Sequence, residues 1–216
     1  MMKLQDPRRL QSFYPILDTD TAARRGVDPV AAAEQILEGG ARVLQFRHKG
    51  FFSRHVFDQA RQIAALCAGA DTLFVMNDRA DVARLLGAGL HLGQEDLSPE
   101  DARRVLGADS FIGYSTHNEA QVRAAAEQAA DYLAFGPVFG TVSKLNPDPV
   151  VGLEGLRRIR GLTDRPLVAI GGITRANARS VIDAGADSVA VIGDLFGEDG
   201  TIRSRVEEWV SLVTGA

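Results

Sequence analysis

Along this chain, short apolar runs alternate with longer stretches in which apolar residues recur at helical spacing. The runs predict strands near 12–17 (SFYPIL), 42–47 (RVLQFR), 72–76 (TLFVM), 88–92 (AGLHL), 110–114 (SFIGY), 131–135 (DYLAF), 166–170 (PLVAI) and 187–192 (DSVAVI). The periodic stretches predict helices near 28–38, 53–68, 79–86, 99–106, 117–129, 152–160, 174–184 and 201–213. Alternation of this kind implies a parallel sheet covered by helices. Eight such units in 216 residues fit closure into a single-domain (β/α)8 TIM barrel, the barrel proper spanning about 12–213. Glycines at Gly39-Gly40, Gly87 and Gly185 look like helix stops leading into strands. Only one connection is long, residues 136–151 (GPVFGTVSKLNPDPVV), and a loop of that length after a strand is a functional candidate.

In such a barrel the loops that follow strands build the active site, so residues just past each strand end are the ones to read for chemistry. Asn77-Asp78 follow the third run; Gly93 and Asp96 follow the fourth. One short helix joins these two strands, so they run parallel with a right-handed crossover and their acids emerge from one edge. Two carboxylates converging there can hold a hard divalent cation. The competing reading makes each acid a helix cap, Asp78 over 79–86 and Asp96 just ahead of Ser98.

The other strand ends extend the set. Alternation places Gln45, Arg47 and Lys49 of QFRHK on one side, the first two in the mouth and the third at its rim. A glutamine and an arginine inside a strand are costly to bury without an anionic partner; the bland alternative is a basic surface cluster. Ser115, Thr116 and His117 follow the fifth run, with hydroxyls suited either to a phosphate or to a helix cap. Gln94 and Glu95 also follow the fourth run; Glu95 could bind metal but reads better as a solvated rim carboxylate, and Ser98-Pro99 reads as a helix start. The sixth loop carries Thr141, Val142, Ser143 and Lys144, which resemble an anion clamp. Gly171-Gly172 and Ile192-Gly193 follow the last two runs, where backbone N–H groups often cradle a phosphate.

Composition narrows the classes. Apolar residues at 45% and charged ones at 24% describe a globular chain. A net charge of −4 argues against a nucleic-acid or anionic-membrane surface. Cys67, the single cysteine, excludes an internal disulfide and a cysteine-rich zinc site, and sits on an apolar helix face. Residues 1–13 carry Lys3, Arg8 and Arg9 with no apolar segment behind them, and no run is long enough to span a bilayer, so a cytoplasmic location is expected. Of 24 basic residues only Lys3, Lys49 and Lys144 are lysines, and the last two follow predicted strands, where a compact ammonium suits phosphate oxygens. No nucleophile–base pair stands out. The chemistry suggested is departure of pyrophosphate assisted by Mg2+ and by Arg47, Lys49 and Lys144, with a second phosphorylated substrate anchored opposite.

The segments LQFRHKG, NDRADVA, GLHLGQEDL, GYSTH, DYLAFGPVFGTVSK, AIGGIT and GADSVAVI, in this order, resemble the thiamine phosphate synthase family over nearly the whole chain. The resemblance implies coupling of 4-amino-2-methyl-5-hydroxymethylpyrimidine diphosphate to a thiazole phosphate, commonly its carboxylated form, with release of pyrophosphate and, from that form, carbon dioxide. By motif, Asp78 and Asp96 would ligate Mg2+, while Gln45, Arg47, Lys49, Asn77, Ser115 and Lys144 would hold the pyrimidine diphosphate. Thr141, Val142, Ser143, Gly172, Ile192 and Gly193 would receive the thiazole phosphate. The implied route is dissociative, with the thiazole nitrogen capturing a pyrimidine-stabilised cation. His48 stands where the family pattern has glutamate, Gly140 where it has proline, and Gly193 where it has serine. Rival readings are a thiazole tautomerase-like isomerase, which would turn over in chelator, and a non-catalytic barrel that senses a phosphorylated metabolite. Partners are thus small phosphorylated molecules, and association into homo-oligomers stays open.

Overall fold

The computed structural model describes residues 10–141 and 148–214. Its strands are β1 (Phe13–Asp18), β2 (Val43–Arg47), β3 (Leu73–Asn77), β4 (Gly89–Leu92), β5 (Ile112–Thr116), β6 (Tyr132–Phe135), β7 (Leu167–Ile170) and β8 (Ser188–Val191). They close into a barrel in sequence order, every neighbour parallel, with β8 returning to β1 through Phe13 opposite Val189. Helices α1 (Thr19–Arg24), α2 (Pro29–Glu38), α3 (Arg54–Gly69), α4 (Ala80–Leu86), α5 (Pro99–Leu106), α6 (Glu119–Ala125), α7 (Gly152–Arg160), α8 (Ala178–Asp183) and α9 (Ile202–Thr214) surround it. A 3-10 turn, Gly193–Phe196, follows β8.

All eight apolar runs are strands. β5 lies about two residues further along than its run suggests, because polarity made Ser115 and Thr116 read as loop. Inside the sheet both side-chain oxygens have partners: Ser115 Oγ meets His91 Nε2 at 2.9 Å, and Thr116 Oγ1 donates to the Ala134 carbonyl at 2.9 Å. α1 has no counterpart among the predicted helices. It is six residues long, too short for a periodic pattern, and starts because Asp18 accepts from the Thr21 backbone N–H at 2.9 Å. α8 is shorter than its periodic stretch, since Asn177 Oδ1 accepts from the Thr174 N–H at 2.8 Å and holds 174–177 as a turn. Gly87 ends α4 in the left-handed conformation (φ 63°), as its place before a strand suggests.

Strand alternation divides the core into two layers. Tyr14, Ile16, Val43, Leu73, Val75, Phe111, Tyr132, Ala134, Val168 and Ala190 fill the barrel, and a larger cluster lies between strands and helices. Phe13 stacks on Trp209 of α9 at 5.4 Å between ring centroids, tying the first strand to the last helix. Cys67 is fully buried in the outer layer, and burial pushes its thiol up to about 12, so it behaves as an inert small hydrophobe. The inner layer is set by one glycine. A Cβ on Gly113 would stand 1.9 Å from Cζ of Tyr132, so the missing side chain is what lets that ring cross the barrel. Gly113→Ala is expected to lose about 1–3 kcal/mol by overpacking, read as a lowered denaturant midpoint at constant slope.

Candidate active site

The C-terminal ends of the strands gather the polar side chains. Gln45 and Arg47 alternate inward on β2, and Asn77 closes β3 in register with His91 of β4. Asp78 follows with φ 63°, left-handed backbone that costs a non-glycine residue energy and that Asp and Asn tolerate best. It does not cap α4. The N-cap there is Arg79, with no side-chain capping bond, while the Asp78 N–H donates to the His91 carbonyl at 2.9 Å. The turn thus aims the carboxylate at the mouth, where Lys49 Nζ lies 2.6 Å from Oδ2.

Asp96 is the other half of the acid pair. Its Oδ2 accepts from the Gly93 N–H at 2.7 Å, which folds the β4–α5 loop back toward the strand, while Ser98 caps α5. The two acids meet. Burial raises the Asp78 carboxyl above its ordinary value, Lys49 opposes that shift, and direct contact with the Asp96 carboxyl adds to it. Two carboxylates held within reach of each other beside an ammonium form a place that takes positive charge, and this donor set fits a hard divalent cation. Among the described residues no third His, Cys, Asp or Glu completes a larger cluster. A second sign of a ligand lies next to it: the side chain of Asn77 is 5% exposed, and its Nδ2 has no partner among the described residues.

Nothing local in the sequence singles out Asp18, although its position at the end of β1 matches that of Asp78 near β3. It is 2% exposed, accepts from Thr21 Oγ1 at 2.7 Å, and pairs through Oδ2 with Arg47. Arg47 is therefore held with its guanidinium at the mouth by a carboxylate from the adjoining strand. Thr116 and His117 are not at the site. The first is buried on Ala134, and the His117 ring bonds the Gly136 carbonyl at 2.7 Å and faces Asp148 at 3.6 Å. Glu95 is exposed, as expected of a rim residue.

The far side of the mouth is built from glycine. The chain leaving β6 runs beside the β7–α8 loop, with Val138 N–H on the Ile170 carbonyl and Phe139 N–H on that of Gly171. Gly172 has φ 61°, and a Cβ there would lie 2.4 Å from the Gly140 oxygen, so no other residue fits. This brings Gly172 against the segment that enters Thr141. Ile170 pairs with Ala190, so Ile192-Gly193 leave the barrel beside Gly171-Gly172. Asn177 Nδ2 donates to the Gly172 carbonyl at 3.0 Å and fixes the loop. Arg175 then bridges the two loops, reaching Asp194 at 3.0 Å and Asp199 at 2.8 Å together with Glu208 of α9, while Trp209 Nε1 also donates to Asp194 at 2.8 Å. Val142, Ser143 and Lys144 lie outside the described residues. A groove of about 750 Å3 opens at the opposite end of the barrel, but Asp131 and Arg165 in its wall are already engaged, by Arg103 and by backbone carbonyls.

The thiamine monophosphate synthase family model matches residues 13–195. The chain belongs to this family. It is 48% identical over 211 residues to the thiamine-phosphate synthase of Koribacter versatilis, covering 95% of this chain and 97% of that protein. The thiamine-phosphate synthase of Chloroflexus aurantiacus is 40% identical over 182 residues, 84% of each chain. Among solved structures, the thiamine phosphate pyrophosphorylase from Pyrococcus furiosus superposes with a TM-score of 0.85 at 34% identity, covering 97% of this chain and 98% of that one.

The geometry shows what stands around two of the positions that depart from the family pattern. His48 turns away from Lys49: its Nδ1 meets Thr19 Oγ1 at 2.7 Å, its Nε2 the Phe51 carbonyl at 3.2 Å, and its ring packs edge-on to Phe52. It ties the β2–α3 loop to α1 and leaves Lys49 to Asp78. Gly193 has open space where a Cβ would be and needs no special backbone angle. Gly193→Ser is therefore expected to fold as the parent does and, by adding a hydroxyl donor, to lower the KM for thiazole phosphate about threefold to tenfold, measured at saturating pyrimidine diphosphate.

Proposed function

We propose that this barrel joins 4-amino-2-methyl-5-hydroxymethylpyrimidine diphosphate to a thiazole phosphate and releases pyrophosphate, with a divalent cation, Mg2+ by preference, held by Asp78 and Asp96. The observation that carries the reading is the meeting of these two carboxylates at adjoining strand ends, one of them on a strained backbone and already facing an ammonium. Bound there, Mg2+ would supply Lewis-acid neutralisation of the departing diphosphate. The remaining work falls to the chain's own groups.

Gln45 of β2, Asn77 of β3 and Ser115 of β5 orient the pyrimidine from one half of the mouth. Arg47, fixed by Asp18, and Lys49 meet the diphosphate oxygens and spread their growing charge as the C–O bond lengthens, with Lys144 assigned to the same task from the sixth loop. Lys49, paired with Asp78 in this structure, would be free to meet the diphosphate with the acids holding the cation. On the other side, the backbone N–H groups about Gly172 and Ile192-Gly193, with the Thr141–Ser143 segment, hold the thiazole phosphate so that the ring nitrogen faces the carbon left by pyrophosphate. No side chain need act as nucleophile or base, because the thiazole nitrogen is the nucleophile and pyrophosphate the leaving group.

Incubating the purified protein with both substrates, with Mg2+ or with chelator, tests the reading. Thiamine phosphate and pyrophosphate in equal amounts, with Mg2+ only, are expected. Isomerisation of the thiazole in chelator, or binding of one substrate without product, would point instead to a tautomerase or a sensor.

A further inference from the structure

Five inward-facing side chains from five strands form an unbroken file of hydrogen bonds across the barrel. Gln45 Nε2 donates to Tyr14 Oη at 3.0 Å, Tyr14 Oη meets Tyr132 Oη at 2.7 Å, Tyr132 Oη meets His91 Nδ1 at 2.9 Å, and His91 Nε2 meets Ser115 Oγ at 2.9 Å. Tyr14 is 1% exposed, Tyr132 is fully buried and Gln45 is 2% exposed, so these groups lie out of contact with bulk solvent. The two end residues are the ones assigned to the pyrimidine.

Proton counting ties the direction of every bond in the file to the orientation of the Gln45 amide. Each tyrosine has one hydroxyl proton, and leaving a buried donor unpaired costs about 1–3 kcal/mol. Tyr14 accepts from Gln45, so its own proton goes to Tyr132. The Tyr132 proton must then go to His91 Nδ1. His91 is thereby the Nε2–H tautomer and donates to Ser115 Oγ, which leaves the Ser115 O–H to point elsewhere. At the other end, with Nε2 spent on Tyr14, Gln45 has its carbonyl oxygen to offer. The only other self-consistent pattern flips the Gln45 amide and reverses every bond, so the two ends always have opposite polarity.

We propose, resting on the synthase reading, that this file sets the polarity of the pyrimidine pocket, Gln45 as acceptor and Ser115 as donor. Tyr14, Tyr132 and His91 are then positioning residues that select an aminopyrimidine over its oxo counterpart. An aminopyrimidine presents an N–H donor on its exocyclic amine and an acceptor on its ring nitrogen. The oxo compound presents the reverse, an acceptor oxygen and a ring N–H, and would have to turn the whole file around to bind.

The test has two arms. Nitrogen-15 NMR of histidine-labelled protein is expected to show His91 as the neutral Nε2–H tautomer at pH 7; a protonated Nδ1 would overturn the proposal without any substrate present. In the second arm, kcat/KM is compared for the 4-amino and 4-oxo pyrimidine diphosphates in the parent, Tyr132→Phe and Tyr14→Phe. The amino-over-oxo preference should fall at least tenfold in whichever variant folds, with the KM for thiazole phosphate unmoved, and an unchanged preference would overturn the proposal. A parent that makes no product from the amino substrate would defeat the synthase reading itself, an outcome distinct from a wrong tautomer.

Discussion

Asp78→Asn is expected to reduce thiamine phosphate formation by about a thousandfold or more while leaving the metal-free protein at least as stable as the parent. Both halves follow from the same surroundings. The ionised carboxyl of Asp78 is disfavoured by burial and by the Asp96 carboxyl beside it, and the Lys49 ammonium only partly offsets them. Its value in the fold is thus raised above the ordinary 3.8, so the folded chain loses stability as pH rises from that value through the raised one. Asparagine never ionises, so its advantage is present above that window and vanishes below it. Asparagine also accepts left-handed backbone (φ 63° here). Asp78→Ala removes the charge too, but a Cβ without a polar partner in that conformation costs about 1–2 kcal/mol. Thermal melts of the metal-free proteins at pH 7 and pH 3.5, beside turnover with Mg2+, check the prediction. A stable variant with parental turnover would remove Asp78 from the metal.

The second large effect is expected at the opposite wall. Gly172→Ala places a methyl group 2.4 Å from the Gly140 oxygen and 2.8 Å from Phe139 Cβ, on backbone with φ 61°. Neither obstacle is a flexible side-chain end, so the β7–α8 loop has to move away from the segment leading to Thr141. A displacement of about 1 Å at a positioning group commonly costs on the order of a hundredfold. The KM for thiazole phosphate should rise by about that factor, and the KM for the pyrimidine diphosphate should rise far less, because of the groups assigned to that substrate only Lys144 shares a loop with this wall. Steady-state kinetics with each substrate varied in turn separates the two. Equal losses in both would mean that Gly172 serves the barrel as a whole.

Much of this arrangement was legible in the chain because the barrel ties position to role. Once eight runs alternate with helices, Asp78 and Asp96 must share a rim, and Gln45 and Arg47 must face inward by the period of the strand. The glycines after the last two runs were legible for the same reason, although sequence gave no way to see that Gly172 is sterically required and Gly193 is not. What escaped was whatever depends on pairing across the barrel. Asp18 looks like an ordinary cap and does cap α1, yet its second oxygen holds Arg47. His91 and the tyrosines lie inside apolar runs, and nothing local says that their polar ends meet. Ser115 reads as a loop residue from sequence because its partner, His91, is distant along the chain.

Titration with Mn2+ followed by electron paramagnetic resonance, with and without pyrophosphate, bears most directly on the acid pair. One ion per chain, bound more tightly when pyrophosphate is present and lost in both Asp78→Asn and Asp96→Asn, is the expected result. Unaltered binding in the two variants would mean that the ion sits elsewhere, and the leaving-group chemistry assigned to this rim would fail with it.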